Sequence, residues 1–235
     1  MTCLATSSGN NITEHHVINP PSNLYKRYNR GLLDVSADKV TKLLRNGNAE
    51  FNIPVFDPHH IEKFEMNVNE DGLKIDGELR NINLQGLSNI ENIITDISFW
   101  RRKITLTLTF PEIISTGEYD FKMIQTGDIT HSSSGNYEVI VRNIAATAIV
   151  EYSFFLTSAN LKNVEVNDIK LIKISTNEIE NNLEINIFRS QTTSETALRF
   201  CSRSHIKNFL EMTLSEILNT IIDGKSVSKI KSLLI

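Results

Sequence analysis

Three groups of side chains in this sequence are of types that do chemistry: the histidine pairs His15-His16 and His59-His60, the carboxylate of Asp57, and the two cysteines Cys3 and Cys201. Imidazoles ligate metals, but adjacent residues on a strand point to opposite faces, so neither pair offers two nitrogens to one ion. They read as solvated histidines, and no metal site is expected. Asp57 beside His59 could work as an acid-base pair, yet an Asp-Pro step more simply builds a turn entering a strand. Two cysteines are too few for a disulfide scaffold. Cys3 sits in a stretch without periodicity and Cys201 near the apolar side of a helical pattern, so both read as free, unbridged and inert. There is no G-x-S-x-G, no phosphate-binding glycine loop and no H-E-x-x-H. No catalytic residue, no enzymatic activity and no cofactor are expected.

Composition narrows the class further. The chain has 235 residues, 40% hydrophobic and 22% charged, with 24 Lys and Arg against 28 Asp and Glu for a net charge of -4. That length leaves one or two domains open. No basic block could track a phosphate backbone, so nucleic acid is not an expected partner. No run approaches the ~18 uninterrupted apolar residues of a transmembrane helix. Isoleucine outnumbers the 10 Gly, 5 Pro and 1 Trp by far, an excess that favours pleated strands. Met1 to Asn10 shows no basic region followed by an apolar run, so no signal peptide is visible. Asn11-Ile12-Thr13 is a glycosylation sequon, of use only outside the cell.

The elements that must position any site follow from periodicity. Residues 1–35, rich in Asn, Ser and Pro, read as a flexible N-terminal arm, and residues 36–235 as a single domain. Ser36 caps a short helix whose inner face is Val40, Leu43 and Leu44 and which Asn46-Gly47 stops. From there the period is two for roughly 130 residues. Ile104, Leu106, Leu108 and Phe110 form one strand. After an expected turn carrying Pro111 and Gly117 come Tyr119, Phe121 and Met123. The alternation slips near Arg80-Asn81, which predicts a β-bulge. Val139 and Val141, then Val150, Tyr152, Phe154 and Leu156, then two further strands, continue an antiparallel meander of about nine strands over residues 60–190. A final helix over 203–222 carries Ile206, Phe209, Leu210, Leu214, Ile217 and Ile221 on one side, with Lys207, Glu211 and Glu216 on the other. Asp223-Gly224 ends it before a short helix through Ile230 and Leu233.

Phe51-Asn52-Ile53-Pro54-Val55-Phe56-Asp57-Pro58 after a short helix and Gly47, Pro111-Glu112-Ile113 before Gly117-Glu118-Tyr119, and Val141-Arg142-Asn143 to Glu151 as the next hairpin resemble the takeout and juvenile-hormone-binding family of insects. Asn208-Phe209-Leu210 is a weaker match. The resemblance implies an α+β fold: a highly curved antiparallel β-sheet wrapped around a long C-terminal α-helix and enclosing an apolar tunnel. It implies a secreted, extracellular carrier of a hydrophobic small molecule, whether juvenile-hormone-like terpenoid, fatty acid or related lipid. It names no protein receptor. The chain departs from the family in holding no cysteine between residues 4 and 200, so the usual disulfide near the first helix cannot form. The loop expected over Gly127 to Gly135 also lacks the usual Pro and Gly. The expected tunnel walls are Phe209, Leu210, Leu214, Ile217 and Ile221 on the helix and Leu106, Leu108, Phe121, Tyr152 and Phe154 on the sheet. The same apolar stripe would serve a solid core, in a β-rich protein-interaction module without ligand.

Overall fold

The structure, a computed structural model, describes residues 35–70, 73–98, 101–125, 129–156, 164–177, 183–188, 203–223, 225 and 227–234. The expected tunnel residue Phe154 lies in a strand, but its side chain is outside the described residues, as are His15, His16, Cys3 and Cys201.

Helix α1 (Ala37–Asn46) buries Val40, Leu43 and Leu44 and starts at Ser36, whose side chain makes no capping hydrogen bond. It ends at Gly47 with φ +64°, and a Cβ there would stand 2.6 Å from the Ile53 carbonyl oxygen, so glycine is required twice over. The chain then folds back, and the Phe56 N–H donates to the Leu44 carbonyl at 2.8 Å. Strand β1 (His59–Glu70) follows the Asp57–Pro58 peptide, which is cis.

Seven strands among the described residues make one antiparallel sheet: β1, β2 (Leu73–Gln85), β3 (Asn92–Ser98), β4 (Lys103–Gln125), β5 (Ile129–Leu156), β6 (Val164–Thr176) and β7 (Leu183–Phe188). The order is β1-β2-β4-β5-β6, with β3 also on β4 and β7 also on β5. It is therefore not a simple meander. The two long central strands carry two partners each along one edge: β2 and β3 share β4, and β6 and β7 share β5.

The expected count of about nine strands is corrected at three places. β4 runs unbroken through Pro111 and Gly117, where a turn was expected. β5 runs unbroken from Ile129 to Leu156, which removes both the loop expected up to Gly135 and the hairpin expected from Val141 to Glu151. Phe110 pairs with Ile144 and Glu112 with Arg142, leaving Pro111 opposite Asn143, which has φ +53°. Proline has no N–H to give the ladder. Both strands step out of the pleat together here, so the inward residue advances by three instead of two: Phe110 to Ile113 on β4, Val141 to Ile144 on β5. A break in alternation that looks like a reversal of the chain is a crease across a continuing sheet. The slip expected near Arg80-Asn81 is present, as a register shift between Arg80 and Asn83 with Asn81 at φ +50°.

Helix α2 (Arg203–Ile222), at ~1.5 Å per residue, is ~30 Å long and packs along β6. A short helix α3 (Val227–Leu234) meets α1 and β6. One apolar core joins Val40 and Leu44 of α1, Ile82, Phe110 and Ile144 of the sheet, Leu210, Leu214 and Ile217 of α2, and Ile230 of α3. The sheet's other face is charged, with Lys63 bonded to Glu65 and Glu78, Arg80 to Glu78 and Asp120, and Arg142 to Glu112 and Glu184. These exposed pairs contribute little stability, but they mark that face as the wet one. No helix among the described residues is long and apolar enough to cross a membrane.

Candidate functional site

Between the inner face of the sheet and the C-terminal half of α2 lies a cavity of about 110 Å³. Its walls are Thr95 of β3, Ile104, Leu106, Leu108 and Phe110 of β4, Ala146, Ala148 and Val150 of β5, Ile169 of β6, and Leu214, Ile217, Leu218, Ile221 and Ile222 of α2. Val35, the α1 residues Val40 and Leu44, Leu87 of the 86–88 turn, and Ile230 of α3 close it. Thr95 is the single polar residue among the described residues of that lining. The void has a local cause. On β5, Ala146 and Ala148 face inward where the neighbouring inward positions carry Ile144, Val150 and Tyr152. Two methyl side chains set opposite a helix of leucines and isoleucines leave the intervening layer short of atoms.

A second cavity of about 40 Å³ lies beside the N-terminal turns of α2. It is walled by Phe64 and Met66 of β1, Leu79, Ile113, Tyr137, Val139 and Val141, and by Ile206, Phe209 and Leu210 of α2, with Ser115 and His205. Phe64 meets Phe209 edge-on, ring centroids 4.8 Å apart. The Tyr137 and Ser115 hydroxyls lie 3.2 Å apart in a hydrogen bond that either can donate. Burial pushes the Tyr137 phenol up to about 12, against the opposing effect of the Ser115 bond. It therefore stays a neutral donor and acceptor at any physiological pH.

Of the residues expected from sequence to wall a tunnel, Leu106, Leu108, Leu214, Ile217 and Ile221 meet around the larger cavity, and Phe209 and Leu210 around the smaller. Phe121 and Tyr152 are buried but line neither cavity. Phe121 stacks on Tyr119 at 5.4 Å and covers Gly77, where a Cβ would collide with its ring. The reading of sequence passed over Ala146 and Ala148, whose signal was two small inward positions in a strand otherwise filled by large ones. It passed over Val40, Leu44 and Ile230 as walls because periodicity places a residue on a face without saying what stands opposite.

Asp57, singled out for its chemistry, is spent on the fold. Asp57 accepts from the Gly86 N–H at 3.1 Å and the Ser88 N–H at 2.7 Å, tying the 86–88 turn to the start of β1. Arg45 donates to Ser88 Oγ at 3.2 Å. These residues, with Glu112 and Asn89, border a polar surface groove of about 400 Å³, larger than either apolar cavity. Its carboxylates are already engaged, Asp57 by backbone and Glu112 by Arg142 at 2.9 Å. His60 is exposed, but His59 is not the solvated residue expected. It packs beside Phe56, ring centroids 5.6 Å apart, with its Nε2 buried and unpartnered. Burial holds its pKa below the usual histidine value, against the upward pull of Glu216, and His60 pulls it down further. Glu211 is corrected as well, because it does not point away from the sheet. Its Oε1 accepts from the Thr176 N–H at 2.6 Å and the Thr176 hydroxyl at 3.1 Å, pinning α2 to the end of β6.

A long helix packed on a creased antiparallel sheet has parallels among known structures. The crystal structure of Epiphyas postvittana Takeout 1 superposes with a TM-score of 0.52 and 14% identity, over 84% of this chain and 96% of that one, which shows a shared fold. A crystal structure of lipopolysaccharide binding protein matches at a TM-score of 0.46 and 9% identity, over 84% of this chain and 41% of that one, too distant to carry weight here. Comparison with curated protein sequences finds no match. The profile of the family described as haemolymph juvenile hormone binding protein matches residues 20–230, and the chain belongs to that family of binding proteins.

Proposed function

We propose that this protein carries one long hydrophobic small molecule through water, holding it between the sheet and α2. The observation that carries the reading is the larger cavity, with Thr95 alone polar among the described residues of its walls. Such a space stays dry and rewards any apolar group that enters it. Burying ~15 carbons at ~0.8 kcal/mol each gives ~12 kcal/mol before the costs of association, whereas one neutral hydrogen bond nets only ~1 kcal/mol. Affinity comes from burial and choice from the few polar groups. No Lys or Arg is among the described residues lining either cavity. A carboxylate drawn fully inside would lack a counter-charge. The reading therefore favours a neutral ester, alcohol or terpenoid of the juvenile hormone kind, and takes a fatty acid only with its carboxylate at the solvent end. Pockets that enclose a whole ligand of that size commonly run ~300 to 1,000 Å³, so the walls part as it enters. The family's description places such carriers in haemolymph, and the same extracellular setting is proposed here.

The test is organic extraction of the purified protein followed by mass spectrometry. A long-chain neutral lipid recovered at close to one per protein supports the reading. Recovery of none, together with no binding of any neutral lipid added back, rejects it.

A further inference from the structure

The two apolar cavities lie in series along α2, and one layer of side chains separates them. On α2 the wall of the smaller cavity ends at Leu210 and that of the larger begins at Leu214, an interval of ~6 Å along the helix. On β4 the same change falls between Ile113 and Phe110, ~10 Å along the strand. On β5 it falls between Val141 and Ala146, and one inward residue stands between them: Ile144, 0% exposed and a wall of neither cavity. Ile144 is in register with Phe110, at the crease where Asn143 takes φ +53°. The crease brings a branched side chain inward at that point, directly before the two alanines that open the larger cavity.

We propose that Ile144 is the partition that keeps these cavities apart and thereby sets the length of apolar chain the larger one accepts. The proposal rests on the carrier reading above and deepens it. With the partition in place, a ligand chain gains from each methylene until its end meets Ile144, and further carbons must remain in water or displace the wall. With the partition cut back, the chain can continue toward Phe209 and Leu210, which now line a separate space. The residue acts as a steric stop, so its effect is on length selectivity and not on headgroup choice.

The test is a series of saturated fatty alcohols of increasing chain length, each titrated against the full chain carrying a fluorescent phenylnaphthylamine probe, in the parent and in Ile144→Ala. In the parent, affinity should rise about fourfold per methylene and then level off. In Ile144→Ala the levelling point should move several carbons longer, each newly accommodated methylene again gaining about fourfold. Should Ile144→Ala fail to fold by circular dichroism, Ile144→Val carries the test on the same criterion with a smaller displacement. The same levelling point in parent and variant overturns the partition and leaves the carrier reading standing. Failure of every alcohol to displace the probe from the parent overturns the carrier reading, and the partition with it.

Discussion

Ala148→Leu distinguishes a ligand cavity from a solid core by the sign of its effect on stability. Ala148 is buried, paired with Leu106 of β4 and Ile174 of β6, and its methyl group faces the larger cavity. Leucine adds three carbons, worth ~2.4 kcal/mol at ~0.8 kcal/mol each if they enter empty apolar space. At ~24 cal/mol per Å³ of void, filling the cavity of about 110 Å³ completely is worth ~2.6 kcal/mol, so the two estimates agree. Ordering the leucine side chain costs ~0.5 to 1 kcal/mol, which leaves a net stabilisation of ~1 to 2 kcal/mol. In a chain of this size that raises the melting temperature by roughly 2 to 8 °C. In a filled core the same substitution overpacks and costs ~1 to 3 kcal/mol. Urea unfolding with an unchanged slope measures the difference directly. Affinity for a bound apolar chain should fall roughly 50-fold, because about three of its carbons lose their place. A variant that melts lower than the parent while lipid binding is unaltered refutes the reasoning.

Glu211→Ala leaves the buried Thr176 N–H and hydroxyl without their acceptor, so it should cost ~1 to 3 kcal/mol; a urea midpoint equal to the parent's would show that the pin contributes nothing. Thr213→Val removes a hydroxyl that is fully buried with no partner. It should be neutral or stabilising by ~1 kcal/mol, and a clear loss of stability in calorimetry contradicts that. His59 is held neutral by burial and its pKa is depressed, so the unfolded chain takes up its proton first as pH falls below the ordinary value of ~6.5. Stability should therefore decline from there through the folded pKa and be flat above, and His59→Gln should flatten the decline; equal slopes in the two proteins exclude His59 as its source. Residues 36–235 are proposed to act as one domain, so limited proteolysis should not produce two stable halves cut between 60 and 190.

Elements whose own pattern determines them were legible in the sequence. The final helix ends at Ile222 because its apolar residues recur at three and four steps until Asp223, and α1 ends at Gly47 because no other residue takes that φ against the Ile53 carbonyl. The bulge in β2 was legible because one strand slips while β4 beside it does not, and a slip in one strand is visible in that strand. The crease at Pro111 and Asn143 was not, since both strands step together and their mutual register never changes. A single sequence shows only that alternation breaks there, and a break is equally a turn. Glu211 was misplaced for a related reason: a helical wheel gives its angle about the axis, but not that the end of β6 rises far enough to meet it.

The cavity was the hardest feature to read because an absence of atoms makes no pattern. Ala146 and Ala148 continue the period of two and are ordinary strand residues on their own face. They become a void only when set against what faces them, and α2 faces them because the crease at Ile144 resets which residues of β5 point inward. Without the extra step between Val141 and Ile144, the parity of Val139 and Val141 would continue through Asn143, Ala145, Thr147 and Ile149, and the alanines at 146 and 148 would face the wet side of the sheet. The same local distortion therefore hid the strand from the sequence and opened the space on which the proposed function depends.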